Sequence, residues 1–276
     1  ETAAWRASVT QEKFFNDVLP YSCLNEARDP WRAQLREISL PLIAGCKTPG
    51  EAAQVLNQKL FSKLNVRYNT SRQRPDQSPR ETMQSGIATC TGLAILLVDA
   101  CRSVGIPARV AGTPMWSNLR GNHTWVEVWD GEWHFTGAAE PDPAGLDHGW
   151  FVHDASTAKR DVPEQAIYAS SFRRTEVTFP LVWSPGDKSV SAVNVTERYA
   201  AKVSRAAEAG VRLSIKVLGA NGKRVVTDIL VSEGDASATK CEATSRGETA
   251  DQNDFASFRL VSGRRYHVTA RHEGRV

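Results

Sequence analysis

Several features that would place a sequence quickly are missing from this one. No apolar run approaches the roughly 20 residues that span a bilayer. The longest, Leu93 to Val98, suits a buried helix, so no membrane span is expected. There is no block of lysine and arginine: the net charge is +3 with both signs mixed, and Arg173-Arg174 and Arg264-Arg265 are isolated pairs. Nucleic-acid binders concentrate basic charge on one face, so no nucleic-acid partner is expected. None of the five cysteines, at 23, 46, 90, 101 and 241, forms a C-x-x-C pair, which argues against a zinc ribbon. H-E-x-x-H is absent too, and the histidines and acids between 123 and 153 match no zinc spacing. A metallohydrolase is therefore disfavoured, and no metal or cofactor is expected. The chain opens at Glu1 without a start methionine, which fits a processed or a trimmed chain, and a secreted or periplasmic location is the expectation.

What is present is a globular composition, 41% hydrophobic and 24% charged over 276 residues, enough for one large domain or two ordinary ones. The pattern changes near residue 175. Before it, helical and strand-like stretches alternate. In "TPGEAAQVLNQKLFSKLNV" Thr48 is placed to cap a helix, with Pro49 at its first position and Glu51 three residues on. "RYNTSRQRPDQSPRETMQSG" is polar and rich in turn residues and reads as a loop. From Phe179 onward short alternating strands follow one another, as in "VRLSIKV", with an Asn221-Gly222 turn. The expectation is an α+β domain over 1–175, helices packed on an antiparallel sheet, and a small all-β sandwich over 176–276. The second part holds no catalytic constellation; His267 and His272 stand alone.

Two cysteines lie in "SGIATCTGLAILLVDACRSVGIPARVAG". Cys101 shares an apolar helical face with Leu93, Leu97 and Val104 and reads as packing. Cys90 precedes that face, at the helix start after Thr89. A thiol there meets the positive end of the helix dipole, which favours the thiolate. A thiolate catalyst needs a base, and the base needs a carboxylate to hold its tautomer. "GNHTWVEVWDGEWHFTGAAEPD" supplies both. With a two-residue Asp130-Gly131 turn, His123 faces Ala138 and Glu127 faces His134 across a hairpin. Glu140, of the same parity as Ala138, then shares the face of His123, while Val126 and Val128 point to the core helix.

These pieces together resemble the transglutaminase-like superfamily. They are the Cys90-led helix, the "GIPAR" strand entry and the "H-x-W-V-E-V" strand ending in a glycine turn and tryptophan, over roughly residues 80 to 142. "EPDPAGLDHGWF" resembles a bacterial branch of the same group. The resemblance implies a papain-related fold with Cys90 as nucleophile and His123 as base. Many members carry an aspartate four residues after the second-strand tryptophan; here that position is Gly137. Glu140 is the candidate acid and Asp142 the reserve. Gln84, six residues before Cys90, matches the offset of an oxyanion-donating glutamine in papain-like enzymes, beside the Cys90 backbone N–H. Trp116 and Trp125 are candidates for walls of a substrate groove, or for packing. The function expected is cysteine-dependent acyl transfer, as a protease or amidase or as a transglutaminase-type acyltransferase, since hydrolysis and transfer to an amine share the acyl-enzyme; the resemblance implies peptide or protein substrates. The alternative is a catalytically silent scaffold that binds or adheres through its β-module. Nothing in the sequence fixes an oligomeric state.

Overall fold

Residues 90–103 are apolar on almost every side, and a helix of that kind is stable only in an interior. They form the central helix of the first of two units, residues 1–202 and 203–276. The computed structural model describes residues 5–200, 211–234 and 240–271. In the first unit the order is α1 (Gln11–Lys13, continued by a π-turn over Phe14–Val18), α2 (Trp31–Leu42), α3 (Pro49–Lys63), β1 (Arg67–Tyr68), α4 (Pro79–Ser85), β2 (Ile87–Ala88), α5 (Cys90–Ser103), β3 (Ala108–Thr113), β4 (His123–Asp130), β5 (Glu132–Thr136), α6 (Val152–Ser156), β6 (Tyr168–Ser171), β7 (Val177–Thr178), β8 (Ser191–Asn194) and α7 (Thr196–Ala200). Every α5 residue from Thr91 to Ser103 is buried. Leu35 of α2, and Leu56 and Leu60 of α3, cover one side of it. Val110, Val126 and Val128 of the sheet cover the other. The sheet has six antiparallel strands in the order β5-β4-β3-β6-β8-β7.

The helix signals at residue 48 hold. The Thr48 side chain accepts a hydrogen bond from the Glu51 N–H, and Pro49 opens α3. The stretch read as a loop contains α4. Ser78 and Glu81 form a reciprocal capping box, Pro79 takes the first position, and Gly86 ends the helix at φ +67°. Polar composition masked that signature. The break expected near residue 175 falls inside the six-stranded sheet, because β8 pairs with both β6 and β7. Alternation marks a strand, not the sheet it joins.

The hairpin register also differs by one. Asp130 pairs with Glu132, leaving Gly131 alone at the tip at φ +81°, a conformation glycine adopts without a steric penalty. Glu127 therefore faces Phe135, and His134 faces Val128, instead of Glu127 facing His134. A one-residue slip exchanges the two faces of a strand. In this register the parity that set Glu140 beside His123 no longer holds.

The second unit is a small sandwich. Its elements are β9 (Val211–Ile215), β10 (Asp228–Glu233), β11 (Lys240–Thr244), β12 (Ala256–Leu260) and β13 (Tyr266–Arg271). β9 pairs with β12, and β10 lies between β11 and β13, all antiparallel. Ile229 and Val231 of one sheet meet Ala256 and Phe258 of the other. Gly222 turns at φ +74° as its Asn-Gly dipeptide predicts. His267 lies exposed on β13, and His272 is outside the described residues.

Candidate active site

Cys90 is the first residue of α5 and is half-buried. Thr89 holds the N-cap position in extended conformation, but its side chain makes no capping bond. Its hydroxyl instead accepts from Arg72 Nε at 3.1 Å. The first turn of α5 therefore keeps its amides for other partners. Cys101, three turns along, is fully buried, and burial pushes its thiol up to about 12. All five thiols are free.

His123 opens β4, and a ring nitrogen lies within 4.8 Å of Cys90 Sγ. The residues after each of them are tied together: Thr91 Oγ1 and Thr124 Oγ1 share a buried hydrogen bond of 3.2 Å. The imidazole sits in an aromatic box. Ring centroids of Trp150, Phe151, Trp125 and Trp116 lie at 4.7, 5.1, 5.8 and 6.0 Å from it. Trp116 and Trp125 are 1% and 0% exposed, so they are walls of this box and not of an open groove. Trp125 is fixed in turn: its Nε1–H donates to Tyr199 Oη at 2.8 Å, and Tyr199 donates to Glu127 at 2.8 Å. Burial alone would raise the Glu127 carboxyl, but the guanidinium groups of Arg109 and Arg198, at 2.8 and 2.5 Å, outweigh it and hold it below its ordinary value. His123, Trp125 and Glu127 are alternate residues of one strand, and so share a face.

Glu140 follows a turn. Beyond Thr136 the chain folds over itself, with Ala139 at φ +63° and the Glu140 N–H donating to the Gly137 carbonyl at 3.2 Å. A Cβ added at Gly137 would lie 2.6 Å from Glu140 Oε2 and 3.4 Å from Phe151. The Glu140 carboxylate thus fills the space that a side chain at position 137 would occupy. Trp150 joins it to the box, donating from Nε1 to Glu140 Oε2 at 2.8 Å while its ring packs on His123. Asp147 pins the intervening loop, accepting from Phe135 N–H and bonding His134 Nδ1 at 2.7 Å.

Asp142 is engaged in its own turn, where its Oδ1 accepts from the Ala144 N–H. Gln84 is exposed on the last turn of α4, with β2 between it and Cys90, and no hydrogen bond joins them among the described residues. Trp150, Phe151, Thr91 and Asn57 were not singled out by sequence. Asn57 carried a signal, a lone amide within the apolar stripe Ala53, Leu56, Leu60 of α3.

A second cluster, Cys23, Glu26 and Asp99, brings three ligating atoms within 4.8 Å of one another in the interior. Arg102 lies against it, 3.5 Å from Cys23 Sγ and 3.9 Å from Asp99 Oδ1, and supplies the cation. Glu26 caps the Cys23 and Leu24 amides. No described helix is long and apolar enough to cross a membrane.

Residues 36–155 match the model of the transglutaminase-like superfamily. The chain is also similar to a candidate cysteine protease from Cytophaga hutchinsonii, at 19% identity, 63% of this chain, 61% of that one and TM-score 0.37. It is similar to red sea bream transglutaminase at 11% identity, 87% and 52%, TM-score 0.34, and to calcium-bound LapG of Legionella pneumophila at 12% identity, 62% and 98%, TM-score 0.28. The chain spans about three fifths of the first of these and half of the second. No curated protein matches it.

Proposed function

From a transglutaminase-like core at residues 36–155, we propose that this protein is a cysteine-dependent acyl-transfer enzyme that hydrolyses amide bonds of peptides or proteins. The observation that carries the reading is the helix-start Cys90 Sγ within 4.8 Å of a His123 ring nitrogen.

In this mechanism His123 takes the Cys90 proton, and the thiolate attacks the amide carbonyl carbon. The oxyanion of the tetrahedral intermediate rests on the Cys90 backbone N–H at the start of α5. Collapse breaks the C–N bond, and the leaving amine takes the proton from His123. A thioester on Cys90 remains. His123 then deprotonates a water that attacks the thioester, and the acid product leaves as the thiol regains its proton. Glu140 holds the imidazole's tautomer and stabilises the imidazolium. The aromatic box limits the ring's movement between these steps. Peptide and protein substrates are proposed from the family likeness.

Iodoacetamide at neutral pH tests the reading, with exposed Cys241 as the internal standard for an ordinary thiol. Cys90 is expected to alkylate at least about tenfold faster than Cys241, to slow on His123→Ala, and to leave Cys101 untouched. Cys90 reacting no faster than in the denatured chain would sink the proposal.

A further inference from the structure

The turn that returns Glu140 contains Ala139 at φ +63°, and a residue with a Cβ avoids that region unless its surroundings impose it. One side chain bonds to both arms of the turn. Asn57 is 2% exposed on α3 and meets the turn with its whole amide. Its Nδ2 donates to Thr136 Oγ1 at 2.9 Å and to the Gly137 carbonyl at 2.7 Å. Its Oδ1 accepts from the Ala139 N–H at 2.8 Å. Two donors and one acceptor in one plane are what an amide offers, and neither a carboxylate nor an apolar residue provides them.

The same helix makes two more hydrogen bonds, one to the hairpin tip and one to the loop after Glu140. The Gly50 N–H donates to Asp130 Oδ2 at 3.0 Å, and Gln54 Nε2 donates to the Asp142 carbonyl at 2.9 Å. Positions 50, 54 and 57 fall on one helix face. Asn57 is the grip nearest the acid, because the residues on either side of its contacts are strand β5 and Glu140 itself.

We infer that Asn57 is a positioning residue for the catalytic acid: it builds the turn over 136–139 that sets the Glu140 carboxylate in the space left by Gly137. The inference rests on Glu140 being the acid that supports His123. Asn57 touches no reacting atom, so its effect passes through Glu140.

The test is the pH profile of Cys90 alkylation by iodoacetamide in four full-length proteins: wild type, Glu140→Gln, Asn57→Leu and the double variant. Thermal melting confirms that each is folded. If Asn57→Leu does not fold, Asn57→Asp replaces it; Asp keeps the acceptor for Ala139 and loses both donors. Each single variant is expected to slow alkylation near pH 6.5 by about tenfold, equal to a displacement of the profile by about one pH unit. In the double variant the rate stays within about twofold of Glu140→Gln alone, since the two changes break one interaction. An Asn57 variant with the wild-type profile, or a double variant that loses the product of both effects, overturns the inference while leaving Glu140 as the acid. An unchanged profile in Glu140→Gln overturns the reading of the acid, and this inference with it.

Discussion

Cys90 and Cys101 lie on the same helix in different surroundings. Cys101 lies mid-helix in the core, where burial holds its thiol near 12 and the proton stays on. Cys90 lies where the helix begins. That contrast was legible in sequence, because an apolar stripe and a helix start can be read without coordinates. Glu140 was legible only in part: the residue was identified through a hairpin parity that the structure does not have. What links Glu140 to the aromatic box is the turn after Thr136 and the Trp150 hydrogen bond, and no periodicity rule describes either. The glycine at 137 is the complementary half of the arrangement, and this yields a substitution test. Gly137→Asp alone meets Glu140 Oε2 at 2.6 Å and destabilises the fold. Glu140→Ala alone slows Cys90 alkylation by about tenfold near pH 6.5. Combining them leaves only the Cβ at 140, 3.2 Å from a new Cβ at 137, a contact relieved by a shift of a few tenths of an ångström. Alkylation in the double variant is expected to recover above the Glu140→Ala rate; no recovery means that carboxylate location is not what Glu140 contributes.

Elements act here by holding two short segments in register. α5 brings Cys90, β4 brings His123, and the Thr91–Thr124 hydrogen bond fastens one to the other a single residue behind each. Sequence showed the helix and the strand, but a bond between residues 33 apart has no local signature. Valine matches threonine in shape, so the pair can be removed cleanly. Each single change, Thr91→Val or Thr124→Val, leaves the other hydroxyl buried without its partner and is expected to cost about 1–3 kcal/mol. Removing both hydroxyls together is expected to cost less than the sum of the two singles. Urea denaturation of the four proteins measures the coupling. Strict additivity would show that the contact does not join the segments. Helix α4 is masked for a different reason: its capping box at Ser78 and Glu81 lies within a polar segment rich in turn residues.

At the scale of the molecule, the order of helices and sheets followed from patterning, while the limit of the first sheet did not. Strands β7 and β8 look like the strands after them, and only pairing with β6 assigns them to the first unit. Whole-molecule stability has a similar hidden partition, among buried acids whose pH trends oppose each other. Burial raises Asp17, Glu26 and Asp99, so the folded state binds their protons more tightly than the unfolded chain. Their contribution to stability is complete below the unfolded values and is lost as pH rises through the folded ones. Glu127 runs the other way. Burial opposes its charge, but Arg109 and Arg198 prevail and depress it, so the unfolded chain, with this carboxyl near its ordinary value of about 4.3, takes up the proton first as pH falls. Its contribution is complete above that value and disappears as pH drops through the folded one. A simple acid titration adds these opposed trends together; the difference between wild type and Glu127→Gln separates them. At pH 7 the variant is expected to be less stable by about 3 kcal/mol, because two guanidinium groups lose their counter-charge, one of them deeply buried. Below about pH 4 the gap narrows, because the unfolded wild-type chain takes up the Glu127 proton before the folded protein does. Urea midpoints at pH 7, 5 and 3.5 measure it. A gap that stays constant across that range would mean that Glu127 is not the depressed carboxylate that fixes Tyr199, Trp125 and, through their packing, His123.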